Sequence, residues 1–401
     1  VTAAAGPRHS ARCGRLRGVT VLGWISAVSL AAWVWLTLCH GFFWRTDVRL
    51  PPRPDSPARW PSVAVVVPAR DEAEVLPLSL PGLLAQRYPG EARVVLVDDG
   101  STDGTGELAR SLGAAGGLPL TVTTPGDPPP GWTGKLWAVR HGVEQAGEPE
   151  YLLLTDADIA HGPDSLAGLV AAAESAGLDM VSQMARLRVH TGWERLIVPA
   201  FVYFFAQLYP FRWSNRPRGR TAAAAGGCSL VRRDALERAG GVEVIRGAVI
   251  DDVSLARAVK RSGGRIWLGL AEQVDSVRPY PDLSQLWRMV SRSAFAQLRH
   301  SVLLLAGTVL GLALVYLVPP VATVAGLVGG APLVAGLGAA AWALMAGTYA
   351  PMLRYYGQPL AAALLLPYTA ALYLLMTVDS AVQHWQGRGA AWKGRTYPAP
   401  D

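Results

Sequence analysis

Apolar and polar positions divide this chain into three regimes. Residues 18–44, 300–353 and 355–378 contain no charged side chain. Residues 60–299 instead alternate short β-branched runs with stretches of helical period. A helix crossing a bilayer needs about 20 apolar residues. The first run therefore predicts one span, at residues 19–39. The 54 residues from 300 to 353 predict two more, separated by a turn at Gly329-Gly330-Ala331-Pro332. A last span is predicted at 360–378. Core helices rarely run so far without charge, and the first run is longer than the apolar part of a cleaved leader and lacks a small-residue cleavage site.

Between these runs, strands are predicted at residues 62–67, 93–97, 120–123 and 151–155. Helices are predicted at 103–112 and 135–146. Strand–helix alternation at this spacing predicts a mostly parallel sheet with helices on both faces. The expected fold class is thus α/β, with transmembrane helices at both ends. The expected divisions are a basic, poorly ordered tail (1–18), a span (19–44), a Pro- and Arg-rich linker (45–59), an α/β unit (60–299), about three spans (300–383) and a tail (384–401). Residues 196–211 are aromatic, apolar and interrupted by prolines. They read as a segment lying on the bilayer, and a core helix is the alternative.

Composition sharpens the picture. Hydrophobic residues make up 51% of the chain and charged residues 17%, against about 25% charged in soluble domains. That excludes a wholly water-soluble protein and a disordered one. The net charge is +7, almost all from arginine, with lysine only at 135, 260 and 393. Arginine is spread along the chain, so no nucleic-acid footprint is read. The arginines flanking the first run suit anionic headgroups. Three cysteines without metal spacing indicate neither a disulfide framework nor zinc.

Open α/β sheets bind ligands beyond the carboxyl ends of their strands, and three predicted strands end in acids. The first ends in Pro68-Ala69-Arg70-Asp71-Glu72, the second in Asp98-Asp99-Gly100-Ser101, the fourth in Thr155-Asp156-Ala157-Asp158. Each alone can be a turn or helix cap. Together they place carboxylates on one rim, where mutual repulsion calls for a cation or donors among them. Asp156 and Asp158, two apart at a strand end, can share one Mg²⁺ or Mn²⁺, which also bridges to phosphates. His161 is a further candidate ligand, and a surface role is the alternative. Asp251-Asp252 can open a helix, where acids suit the dipole, or supply a base.

These motifs, with Gly226-Gly227-Cys228-Ser229 and Ile250-Asp251-Asp252-Val253, resemble the family 2 glycosyltransferases of GT-A fold over residues 60–300. The stretches 240–252, 291–299 and 391–395 resemble more narrowly the bacterial hopene-associated glycosyltransferases. The resemblance implies an inverting transfer of a sugar from a nucleotide-sugar, a UDP-sugar above all, to a lipid such as a hopanoid. It implies that Asp98 or Asp99 holds uracil and ribose, and that Pro68, Ala69, Asp71, Glu72, Gly226 and Gly227 line the donor site. It implies metal on Asp158 with Asp156, Lys135 near the diphosphate, and Asp252 as general base with Asp251 in place of a more usual Glu. Relatives carry a Q-x-x-R-W motif near the membrane. Here Gln297-Leu298-Arg299-His300 departs from it in spacing and lacks the tryptophan, leaving Arg292, Gln297 and Arg299 as candidates for its role. Alternatives are a polyprenyl phosphate or ceramide-like acceptor, or a scaffold that binds nucleotide-sugar without turnover. A transporter is disfavoured, because the apolar runs lack ionisable residues.

Nucleotide-sugars place the catalytic unit on the cytoplasmic face of the plasma (inner) membrane. One span before it and three after then put both basic ends outside, against the positive-inside tendency. Either the first and one later segment are re-entrant or interfacial, or the span count is wrong; the Pro319-Pro320 pair marks the later segment most in question.

Overall fold

A computed structural model describes residues 8–50, 56–388, 391–392 and 395–396. The strands are β1 (Val63–Ala69), β2 (Ala92–Asp98), β3 (Leu120–Thr123), β4 (Tyr151–Leu154), β5 (Ile159–His161), β6 (Met180–Arg186), β7 (Ser229–Arg232) and β8 (Ile266–Ser276). They form one sheet in the order β3-β2-β1-β4-β7-β6-β8-β5. β3, β2, β1 and β4 are parallel, as are β6 and β8, while β7 and β5 run antiparallel to their neighbours. The fold is GT-A-like, as expected, with strand bounds within about two residues of those read from sequence.

β1, Val-Ala-Val-Val-Val-Pro-Ala, is buried at every position. A strand covered on both faces reads as a continuous apolar run, and alternation splits its side chains between two cores. Val63, Val65 and Val67 pack with α2 (Leu76–Leu84), α3 (Thr105–Ala114) and α5 (Ser165–Ala176). Ala64 and Val66 face the opposite core, with α4 (Gly134–Gln145) and α9 (Asp251–Arg261). Register sets the acidic rim: Ala69 pairs with Asp98, and Val66 with Leu154. The three acidic strand ends therefore emerge along one edge.

A third core joins this unit to the apolar helices. It is built on α6 (Gly192–Leu208), which follows a capping box of Thr191 and Glu194. Ile197, Val198, Ala200, Val202, Tyr203 and Ala206 of α6 are buried. Residues 196–211 are thus not a segment lying on the bilayer but mostly a core helix. The apolar helices cover them, so their aromatic character serves packing. The connecting helices are α7 (Phe211–Ser214), α8 (Arg233–Arg238) and α10 (Leu283–Gln297).

Four helices are long and apolar enough to cross a membrane: residues 20–38 of α1 (Arg8–Leu38), then α11 (Val302–Val328), α12 (Pro332–Tyr355) and α13 (Leu360–Trp385). α1 starts at Arg8, so residues 8–18 continue the helix and do not form a separate tail. The turn at 329–331 falls where expected, and Gly326 there admits the backbone of α12: a Cβ on it would lie 2.4 Å from Ala335 N.

Pro319-Pro320 does not break α11. A π turn at Ala313–Leu317 precedes the pair, and Pro319 has no N–H for Val315 O. The freed carbonyls find donors on α1 instead: Trp33 Nε1 donates to Val315 O at 2.7 Å and Ser29 Oγ to Leu314 O at 2.8 Å. In a bilayer such groups must be satisfied within the protein.

α13, although long and apolar enough to cross, packs closely on the α/β unit. Before it, Tyr355 donates to Ala271 O of β8 and stacks under Arg49. At its other end Trp287 Nε1 of α10 donates to Asp379 Oδ2 at 2.7 Å, Ser380 bonds to α10, and His384 stacks on His300. Midway, Tyr373 donates to Ile197 O of α6. The middle and the far end of α13 thus pack against α6 and α10.

Candidate active site

The acidic rim and α10 enclose a cleft of ≈ 550 Å³. Glu72, Lys135, Asp156, Asp158, Asp251 and Arg278 line its sheet side. Lys135 opens α4 behind the Thr133 cap. Its Nζ lies 2.9 Å from Asp156 Oδ1 and 3.0 Å from Asp251 Oδ2. Arg278, just past β8, donates from Nη2 to both Glu72 oxygens (2.8 and 2.7 Å) and from Nε to Asp158 Oδ2 (2.9 Å). Sequence reasoning missed Arg278; its position two residues beyond the end of a long strand was the available signal.

Asp251 and Asp252 form the first turn of α9, where acids suit the dipole, and Val253 N donates to Asp252 Oδ1 at 2.7 Å. Asp252 also reaches across the site, accepting from Gly226 N at 2.8 Å. It lines a small side cavity of ≈ 30 Å³ that shares Pro68, Lys135, Asp156 and Asp251 with the cleft. Two backbone donors leave lone pairs on the Asp252 carboxylate for a proton.

The electrostatics separate these acids. Burial, then the Asp251 charge, push Asp252 up to about 7. Burial also pushes Asp251 up, but Lys135 outweighs it and holds Asp251 below the usual carboxylate range. Burial raises Asp156 in spite of Lys135. Lys135 is held well above its ordinary value by the two carboxylates, against burial.

Other expected site residues lie elsewhere. Asp98 caps its own turn, accepting from Ser101 N at 3.0 Å, and Asp99 is buried 3.6 Å from the Arg70 guanidinium. Asp71, at φ 50°, accepts from Thr102 N at 2.8 Å. Asp71, Asp98 and Asp99 tie the first two strand ends together and do not line the cleft. Neither does Ala69, which is buried in β1. Gly227 packs on Ile159, and its carbonyl accepts from Thr155 Oγ1 at 2.7 Å. His161 is buried, bonded to Thr155 and Ser165, and desolvation pushes its pKa down to about 4. It does not point at the acidic rim.

Arg292 lines the cleft, but Gln297 and Arg299 do not; Gln297 Nε2 donates to Tyr209 OH instead. Gln285 and Arg288 stand in the cleft wall. Gln285-Leu286-Trp287-Arg288-Met289 has the Q-x-x-R spacing, with methionine where relatives have tryptophan. The helical period puts Gln285, Arg288 and Arg292 on one face of α10, and Gln297 falls off it.

A family profile described as "Glycosyltransferase like family 2" matches residues 61–296. The chain belongs to this family. Among solved structures it is similar to the mannosyltransferase PcManGT from Pyrobaculum calidifontis, in complex with GDP-Man and Mn²⁺. Identity there is 22%, TM-score 0.55, covering 92% of this chain and 99% of that one. Weaker likenesses are S. aureus TarS (17% identity, 58% and 40% covered, TM-score 0.40) and mannosyl-3-phosphoglycerate synthase from Rubrobacter xylanophilus (21%, 60% and 74%, 0.37). The protein is thus a glycosyltransferase by family, with four apolar helices compatible with a membrane location.

Among the described residues no three His, Cys, Asp or Glu side chains gather into a metal cage. The donors still suit Mg²⁺ or Mn²⁺, which commonly use one or two carboxylates and complete their shell with phosphates and water. Asp156 and Asp158 are the carboxylates that could hold such an ion, and each is paired with a cation of the protein, Lys135 or Arg278.

Proposed function

We propose that this family 2 glycosyltransferase moves a sugar from a nucleotide-sugar to a hydroxyl of a membrane lipid, by single displacement with inversion. One observation carries the reading: the acid-rimmed cleft at the sheet edge has its other wall in α10 and α13, beside exposed apolar side chains of the long apolar helices. Leu303 is 84% exposed and Trp385 56%. A donor enters from water and a lipid headgroup from the bilayer.

In the displacement the acceptor oxygen bonds to the anomeric carbon, the bond to the diphosphate breaks, and the hydroxyl proton passes to Asp252. A carboxylate near 7 suits that task. Lys135 offsets charge on the departing nucleoside diphosphate. A divalent cation held by Asp158 and Asp156 would add charge neutralisation there. Arg278 keeps Glu72 and Asp158 in place until the donor arrives. Glu72 and Pro68 form the floor beneath the donor, and the Gly226 amide aims Asp252.

The test incubates membranes carrying the protein with several labelled nucleotide-sugars, with Mg²⁺, Mn²⁺ or a chelator, and extracts lipids. A labelled lipid is expected, lost on chelation. Asp252→Asn should lower transfer by about 100-fold or more with donor binding intact. Wild-type glycolipid levels in Asp252→Asn cells would overturn the assignment.

A further inference from the structure

The cleft has two chemically opposite ends. All its carboxylates are on the sheet side, and those at Asp156, Asp158, Asp251 and Glu72 are paired with Lys135 or Arg278. The wall formed by α10 and α13 carries Arg288, Arg292, Arg388, His300 and His384. None of these makes a salt bridge among the described residues; the Arg388 guanidinium donates to Gln386 Oε1. The three arginines are cations left without a carboxylate partner on one wall of the cleft, which favours an anion, and the two imidazoles add hydrogen-bonding groups beside them.

Three of these side chains sit at the end of the cleft next to the apolar helices. His300 and His384 stack with ring centroids 4.1 Å apart and planes 11° apart. Arg388 follows one turn later, and Ser380 and Gln383 supply neutral polar groups to the same wall. Phe295 packs edge-on against His300, His384 and Trp385. Next along the chain come Val302 and Leu303, 58% and 84% exposed. Oxyanion donors thus lie between an apolar, lipid-facing surface and the acidic chemical end. An acceptor seated here has its anionic group between its tail and its reacting hydroxyl.

We propose that His300, His384 and Arg388 form a subsite for the phosphate of the acceptor, and that the acceptor is a lipid joined through phosphate to a hydroxylated headgroup. This rests on the proposed lipid-glycosylating function. It distinguishes such a lipid from a neutral polyol lipid, which presents nothing for these cations, and from a bare lipid phosphate, whose anion would stop short of Asp252. Arg292, whose charge reaches Asp251, stands between the two ends and leaves the outer three free for the acceptor. Arginine binds phosphate in planar, charge-assisted pairs, and the imidazoles donate from either nitrogen. The shared chemistry has two sources, a glycerophospholipid with a free hydroxyl and a polyprenyl diphosphate sugar.

The test reconstitutes the full chain in phosphatidylcholine nanodiscs. Separate arms add phosphatidylglycerol, a polyprenyl diphosphate sugar, diacylglycerol or a neutral hopanoid polyol, each with labelled donor. Transfer is expected in one or both phosphate arms, and which one identifies the source. Arg388→Ala should raise the acceptor KM about tenfold or more, with donor KM unchanged and partial recovery in Arg388→Lys. His384→Asn should act in the same direction. Equal or better transfer to a neutral acceptor, donor hydrolysis without transfer in every arm, or an Arg388→Ala effect on donor KM alone would overturn the subsite. A wild-type protein that neither binds nor consumes any donor would instead overturn the glycosyltransferase reading beneath it.

Discussion

Replacing Lys135 and Asp251 separately should move the pH profile in opposite directions. Asp252 is lifted to about 7 by burial and by Asp251, and Lys135 pulls against that rise. A base must be deprotonated, so kcat/KM of the wild type should climb with pH through about 7 and level off above it. Lys135→Met removes the positive charge and moves the limb to higher pH. Asp251→Asn removes the negative charge and moves it to lower pH. Side-chain exposures of 17% for Lys135 and 24% for Asp251 admit some solvent, so each shift should be about one unit, not the three to five of full burial. One unit is up to a tenfold rate difference on the acid limb, with Asp251→Asn keeping more of its maximum at about pH 6 than wild type. The double variant should fall between the singles, since the two charges oppose each other at one carboxylate. The assay is nucleoside diphosphate release across about pH 5–9, read as kcat/KM because that ratio reports the free enzyme. Limbs that move the same way, or not at all, would refute Asp252 as the titrating base.

Three further outcomes concern the frame around the site. Trp33→Phe keeps the ring but leaves Val315 O without its donor, and should cost about 0.6–2 kcal/mol in detergent or bilayer unfolding; Ser29→Ala should act alike and the pair should be sub-additive. Gly326→Val would drive a side chain into the Ala335 backbone, 2.4 Å from an added Cβ, and should separate α11 from α12, lowering the melting midpoint by several degrees. A cysteine at Gln386, in a chain cleared of Cys13 and Cys39, should react with an impermeant maleimide from the same membrane side as a cysteine at Glu107 of α3, because the far end of α13 is bonded to α10 beside the cleft; labelling from the opposite side would refute that placement.

The central strands were legible because a buried parallel strand must be apolar throughout, and Val63–Val67 and Tyr151–Leu154 are. Their acidic ends were legible as a shared rim because parallel register leaves them no other edge. Roles within the rim were harder. Asp98 and Asp99 look no different in sequence from Asp156 and Asp158, yet the first pair folds into a turn and an Arg70 contact, and the second faces Lys135 and Arg278. Only residues distant in the chain make that distinction. The Q-x-x-R pair was obscured by Met289 in place of tryptophan, though helical spacing from Gln285 through Arg288 to Arg292 was there to be read.

The last apolar segment shows most plainly what hydropathy leaves out. A helix that crosses a bilayer and one that lies along a protein's base have the same length and the same composition. What separates them is the polar stripe Asp379, Ser380, Gln383, His384, at positions i, i+1, i+4 and i+5 near the segment's end. In hydrocarbon such a stripe is costly, so it must face protein or water. It faces α10, through Trp287, Ser291 and Phe295. That contact brings Arg388 back into the cleft. Of that stripe, Ser380, Gln383 and His384 also line the cleft, so the packing that fixes the path of α13 also shapes that wall.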